Sequence, residues 1–270
     1  MHNTRFSPLR HGPQRTRQRG VTLFVVIVFV MLAMLLALWA SRTSLFNEMV
    51  VGNDADYQRA FEAAQALLQD AELDIRGENP DGTACLGGTC RNSISTAVKI
   101  PLDAQEVTPL LAGLDTQATK CSHGLCLKRA GRQDFWNYDA AIAPTPAAEA
   151  WEFSLAALTV ADVGARYGQY TGALKGDPTD PDETANPLLH WDATTPANQG
   201  GWYWIEVMPY DESSKNSGLI VNAAGTATTS LLALNLRPNV AYRITALAYG
   251  RKPSTMVVLQ ETYVRQVLKD

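Results

Sequence analysis

The pattern of hydrophobic and polar positions divides the chain early. Residues 21–40, VTLFVVIVFVMLAMLLALWA, form an apolar run with no charge and no proline. As a helix rising about 1.5 Å per residue, that run is about 30 Å long, the thickness of a hydrocarbon core. It predicts a membrane span. From residue 41 the pattern becomes periodic: Phe46, Met49, Asn53, Tyr57, Ala60, Ala64, Leu67, Ala71 and Ile75 recur at steps of three and four. These positions share one helical face. The other face is predicted to carry Glu48, Asp54, Asp56, Arg59, Glu62, Asp70, Glu72 and Asp74, with Glu72 and Arg76 at the i,i+4 spacing that supports a helix. Gly77 and Pro80 supply a stop. One helix from 21 to 76, about 84 Å long, is therefore expected.

Beyond the stop the pattern weakens, then alternates. Residues 77–200 are rich in Gly, Pro, Thr and Ala, with short apolar pieces such as WEFSLAAL separated by TPAAE, GDPTDPDETANP and TTPANQGG. From Trp202 onward the pattern changes to alternation in WYWIEVM, AYRITALAYG and TMVVLQETYVRQVL, where alternating aromatic and β-branched residues argue for half-buried strands. The GRKPS link between the last two is short enough for an antiparallel hairpin. The expected fold class is α+β, a long N-terminal helix with a membrane half and an amphipathic half, packed on a C-terminal antiparallel sheet. Its expected divisions are a leader (1–20), a transmembrane or filament-core helix (21–40), an amphipathic helix (41–76), a loop-rich region (77–200) and the sheet of a globular head (201–270). No internal repeat is visible.

Charge adds direction. The 20 residues before the span hold five arginines and no acid, so the positive-inside rule keeps them cytoplasmic and exports the rest. Leu38, Trp39 and Arg42 stand where a signal peptidase requires small residues, which points instead to a cut between Gly20 and Val21. An uncleaved signal anchor is the alternative. The whole chain carries −4; without the leader 18 basic residues face 27 acidic ones, a charge of −9. Such a head is a poor nucleic-acid ligand.

Candidate chemistry is sparse. The four cysteines form two close pairs, Cys85 with Cys90 and Cys121 with Cys126. Zinc binding by four thiolates is one reading, but in an oxidising compartment disulfides are favoured over it. Of the three possible connectivities the two local ones are preferred, because Gly87, Gly88 and Gly124 permit the turns that such short loops need. Two histidines lie in the leader; His123 falls within a cysteine loop and His190 reads as a surface loop residue. Asp177, Asp180, Asp182 and Glu183 offer oxygens to calcium, yet lack the glycine and spacing of an EF-hand, so a solvated acidic loop is preferred. There is no phosphate-cradling loop and no nucleophile elbow. No cofactor is expected. Alternation puts Trp202 and Trp204 on one strand face and Tyr203 on the other, without saying which faces the helix.

Three segments carry a family resemblance: RGVTL at 19–23, NEMVVGNDADYQRAFEAAQALLQDAE at 47–72, and CSHGLC at 121–126 together with YRITALAYG and VVLQETY. The chain resembles a PilX-type minor pilin of the type IV pilus system. What the resemblance implies is a structural protein rather than an enzyme, cut after Gly20 and N-methylated at Val21 by a prepilin peptidase. The implied partners are other minor pilins, the major pilin, an inner-membrane assembly platform and a PilY-type tip adhesin. The implied location is the inner membrane before assembly and the extracellular pilus after it. One departure is informative: Val25 stands where major pilins carry glutamate, so this subunit does not neutralise the terminal amine of a neighbour. A subunit at the tip has no such neighbour above it, and Val25 is accordingly read as a tip-position determinant. Two other functions compete, a type II secretion tip pseudopilin and an uncleaved membrane-anchored periplasmic binding protein or enzyme.

Overall fold

The structure is a computed structural model, and it describes residues 21–91, 98–142, 152–176, 186–211, 219–221, 227–231 and 240–265. The chain divides into two compact units, Met1–Asn53 and Asp54–Asp270. In the first, the described residues are helical throughout. They belong to α1 (Val21–Arg76), an unbroken helix of 56 residues that continues into the second unit.

In the second unit the C-terminal part of α1 lies on a sheet. The central strand β4 (Gly201–Asp211) pairs antiparallel with β7 (Val240–Tyr249), which pairs antiparallel with β8 (Met256–Val264). The other edge of β4 takes two short strands from the loop-rich region, β2 (Leu125–Leu127) and β3 (Ala165–Arg166). β2 is hairpinned to β1 (Cys121–Ser122), and β4 is extended by β5 (Leu219–Val221) and β6 (Ala227–Leu231). Because β2 runs parallel to β4, the sheet is mixed, and the expected purely antiparallel arrangement is corrected at this one ladder. The region expected to be loops also contains α2 (Ala104–Asp115), capped by the Asp103 carboxylate on the Gln105 and Glu106 N–H groups, and a one-turn α3 (Leu155–Leu158). Glu106 reaches back to the Leu102 N–H at 2.7 Å, closing a reciprocal cap.

Two cores follow from the pleat of β4. Tyr203, Ile205 and Val207 point to α1 and meet Ala60, Ala63, Ala64, Leu67, Ala71 and Ile75. Trp202 and Trp204 point the other way and pack with Phe135, Leu158, Leu247 and the Cys121–Cys126 pair. The small residues of α1 let helix and sheet approach closely. At Gly201 a Cβ would lie 2.4 Å from the Leu67 side chain, so any larger residue there would have to displace that leucine. Burying a side chain such as Leu67 or Ile75 contributes about 1.5–3 kcal/mol.

Candidate functional site

The surface that sets this chain apart is the first half of α1. Every residue from 21 to 51 is exposed, including Val21, Val25, Phe29, Leu32 and Trp39, the last 74 % accessible. Among the described residues α1 is the one helix long and apolar enough to cross a membrane, and none of that stretch is buried within the chain. An apolar surface of this extent does not stay in water; it requires lipid or other apolar helices. Val21 is the first helical residue, while Gly20 lies outside the described residues.

The second half of α1 departs from expectation at three acids. Polarity places Asp56, Asp70 and Asp74 on the outer face, but they are buried in register with Ala60, Ala63 and Leu67. The reason lies in spacing: positions 56, 60, 63, 67, 70 and 74 step by four and three alternately, so the aspartates belong to the packing stripe. Each then needs partners, since an unsatisfied buried carboxylate is costly. Asp56 accepts from the Arg251 and Lys252 N–H groups at 2.9 and 3.1 Å in the β7–β8 turn. Burial works to raise its carboxyl, but the Thr255 hydroxyl and those two N–H groups hold it below the ordinary range. Asp74 is held by Arg91 in a bidentate pair, Nε–Oδ1 2.7 Å and Nη2–Oδ2 2.5 Å, and accepts the Tyr203 hydroxyl at 3.0 Å. The guanidinium of Arg91, itself 2 % exposed, lies 3.8 Å above the Tyr170 ring. Asp70 accepts the Gly168 N–H at 2.7 Å and the Thr171 hydroxyl. These contacts fasten the 166–173 loop and Arg91 to the helix.

Asp70 makes the fold sensitive to pH. Burial pushes its carboxyl up to about 7, with Asp74 adding to the rise and the Thr171, Gly168 and Arg91 contacts opposing it. Glu261 on β8 is likewise pushed up to about 7, by burial first and then by neighbouring Glu72. A carboxyl whose folded value exceeds its unfolded one stabilises the fold in acid, and that contribution is lost as pH rises through the folded value. The melting midpoint of the detergent-solubilised protein should therefore fall between about pH 4 and pH 7, and Asp70→Asn should flatten that slope. A profile rising across this window would contradict the assignment.

On the opposite face of the sheet Glu206 is 2 % exposed and takes two arginines. Arg243 donates to it at 2.6 and 2.8 Å, and Arg129 through Nε at 3.1 Å and its backbone N–H at 2.7 Å. Burial alone would raise the Glu206 carboxyl; the two arginines bring it below the ordinary range. The segment after β2 is thereby tied to β4 and β7. No motif in the sequence marks these partners, which are far apart along the chain.

The cysteines are joined as Cys85–Cys90 and Cys121–Cys126. The second bridge spans directly opposed residues of the β1–β2 hairpin. At its turn Gly124 has φ +81°, and a Cβ there would lie 2.5 Å from that of Ala165. The glycine thus serves the turn and also the approach of β3. His123 sits in that turn, 3.6 Å from Asp162. His190 is half-buried, with Nδ1 on the Gly176 carbonyl, rather than a free surface residue. Asp177, Asp180, Asp182 and Glu183 lie outside the described residues. Among the described residues no group of His, Cys, Asp and Glu could hold a metal ion.

Residues 122–265 match the family model described as Type IV pilus assembly protein PilX C-term, and residues 19–69 match the model described as PilX N-terminal. The first match runs through much of the loop-rich region, beyond the terminal motifs that carry the sequence resemblance. No curated protein and no solved structure matches the chain.

Proposed function

The chain belongs to the PilX family of type IV pilus assembly proteins, and from that premise we propose that it is a minor pilin, cut after Gly20 by a prepilin peptidase and inserted by α1 at or near the pilus tip, where it helps to initiate assembly. The observation that carries this reading is the uncharged helical stretch at 21–40, exposed along its whole length. Before assembly, lipid of the inner membrane covers that surface while the head stands in the periplasm. After release from the bilayer, the same surface packs among the helices of other minor pilins and the major pilin. An assembly platform extracts the subunit, and a PilY-type adhesin is the expected partner of the tip complex.

Val25 supports the tip position. A carboxylate at this depth in an apolar environment costs about 2.5 kcal/mol or more unless a cation offsets it. The Val25 side chain avoids that cost and forgoes pairing with a neighbour's amine, which fits a subunit with no protomer above it. In Val25→Glu, pili should still be initiated, but gold-labelled antibody against the head should mark the shaft as well as the tip. Labelling unchanged from wild type would contradict the tip assignment.

A further inference from the structure

Two arginines are buried among the described residues, Arg91 and Arg166, and Arg91 is paired with Asp74, while the partly exposed Arg129 and Arg243 share Glu206. Arg166, on β3, is 7 % exposed, yet among the described residues no carboxylate lies within ion-pair distance of it. Among the described residues two of the five N–H donors of its fork go to backbone carbonyls, Nη1 to Gln199 at 2.5 Å and Nη2 to Pro196 at 3.3 Å. Burial draws the guanidinium down to about 10, with Tyr249 opposing the shift. Among the described residues it is a buried cation with no carboxylate beside it.

Arg166 lines a cavity of about 210 Å³ together with Gln169, Trp191, Trp202, Asp162 and Asp192. Its guanidinium lies 3.7 Å from the centre of the Trp202 ring, which fixes the plane of the fork. The Trp191 N–H is committed to the Tyr167 carbonyl at 2.7 Å, so that wall is rigid too. The volume is below the range of about 300–1,000 Å³ typical of drug-sized ligands and suits a single ring-sized group. A carboxylate matches Arg166 as a bidentate partner. Asp162 and Asp192 are acceptors, which would repel a second negative charge but welcome hydroxyl donors, with Asp192 offering Oδ2 because its Oδ1 takes Thr194 and Thr195; the Gln169 amide is committed to the Arg166 backbone N–H and the Tyr170 hydroxyl. One carboxylate on a small ring bearing several hydroxyls satisfies this set, whereas a run of acidic side chains would set its further charges against the two aspartates.

We propose that this cavity is a binding site for a hexuronic acid unit, with Arg166 holding the carboxylate and the aspartates accepting from the ring hydroxyls. The site would let the exported head recognise an acidic glycan, and it does not depend on where in the filament the subunit sits.

The test is saturation-transfer NMR on the full mature chain in detergent micelles, with D-glucuronate, D-glucose and N-acetylaspartate as probes. Glucuronate should bind saturably, and glucose, which has the ring without the carboxylate, at least about tenfold more weakly. Arg166→Gln should lower glucuronate affinity by a similar factor. Arg166 also supports the 196–199 loop, so a second variant avoids it: Ala193→Trp at the exposed rim should block glucuronate while leaving the melting midpoint unchanged. Equal binding of glucose and glucuronate would overturn the proposal, as would glucuronate binding that survives Ala193→Trp. Saturable binding of N-acetylaspartate without glucuronate would overturn the sugar assignment in favour of an acidic peptide.

Discussion

Replacing both Val28 and Leu32 by arginine will remove the protein from the membrane, whereas either arginine alone will not. The stretch at 21–40 contains 13 residues of the Leu, Ile, Val and Phe types. At about −0.3 to −0.6 kcal/mol each, they favour insertion by about 4–8 kcal/mol in total. Exchanging one central aliphatic residue for arginine costs about 3–4 kcal/mol, which leaves insertion favourable in most of that range. Two such exchanges cost about 7 kcal/mol and cancel it. Alkaline-wash fractionation should find the single variants in the membrane pellet and the double variant outside it. Retention of the double variant would mean that the span does not hold the chain.

Arg91→Ala will be the most damaging single change in the head. Among the described residues it leaves Asp74, whose side chain is wholly buried, with the Tyr203 hydroxyl as its one side-chain partner. Breaking a buried ion pair from one side typically costs about 3–5 kcal/mol. For a head of this size, at about 2–4 °C per kcal/mol, the melting midpoint should fall by about 6–20 °C. The damage comes from the stranded carboxylate rather than from lost attraction. Consequently Arg91→Met combined with Asp74→Leu should be less destabilised than the sum of the two single variants. Additive losses would show that the pair does not act as a unit.

The parts of the fold visible in the sequence are those specified locally. The helix from 21 to 76 announces itself through an uncharged run, a three-and-four stripe and a Gly–Pro stop, and β4, β7 and β8 through alternation. At Asp56, Asp70 and Asp74 polarity and phase disagree, and phase decides burial. Their exact heptad-like spacing with Ala60, Ala63 and Leu67 was the usable signal, and only their distant partners explain how buried carboxylates are tolerated there. α2 escaped because Pro109 reads as a breaker, although Asp103 and Glu106 form a cap signature ahead of it. The parallel pairing of β2 with β4 could not be read at all, since partners 80 residues apart leave no local trace. The same holds for Arg166: its burial and the absence of an acid beside it among the described residues emerge only when β3 is laid against β4.

On the proposed reading the apolar half of α1 survives maturation and becomes the packing element between subunits. Intact-mass measurement of this chain, recovered from sheared pili, tests it most directly. The mass should correspond to a chain beginning at Val21, lacking residues 1–20 and carrying one added methyl group. A mass that includes the arginine-bearing leader, or a chain missing from the fibres and found only in the membrane, would contradict it.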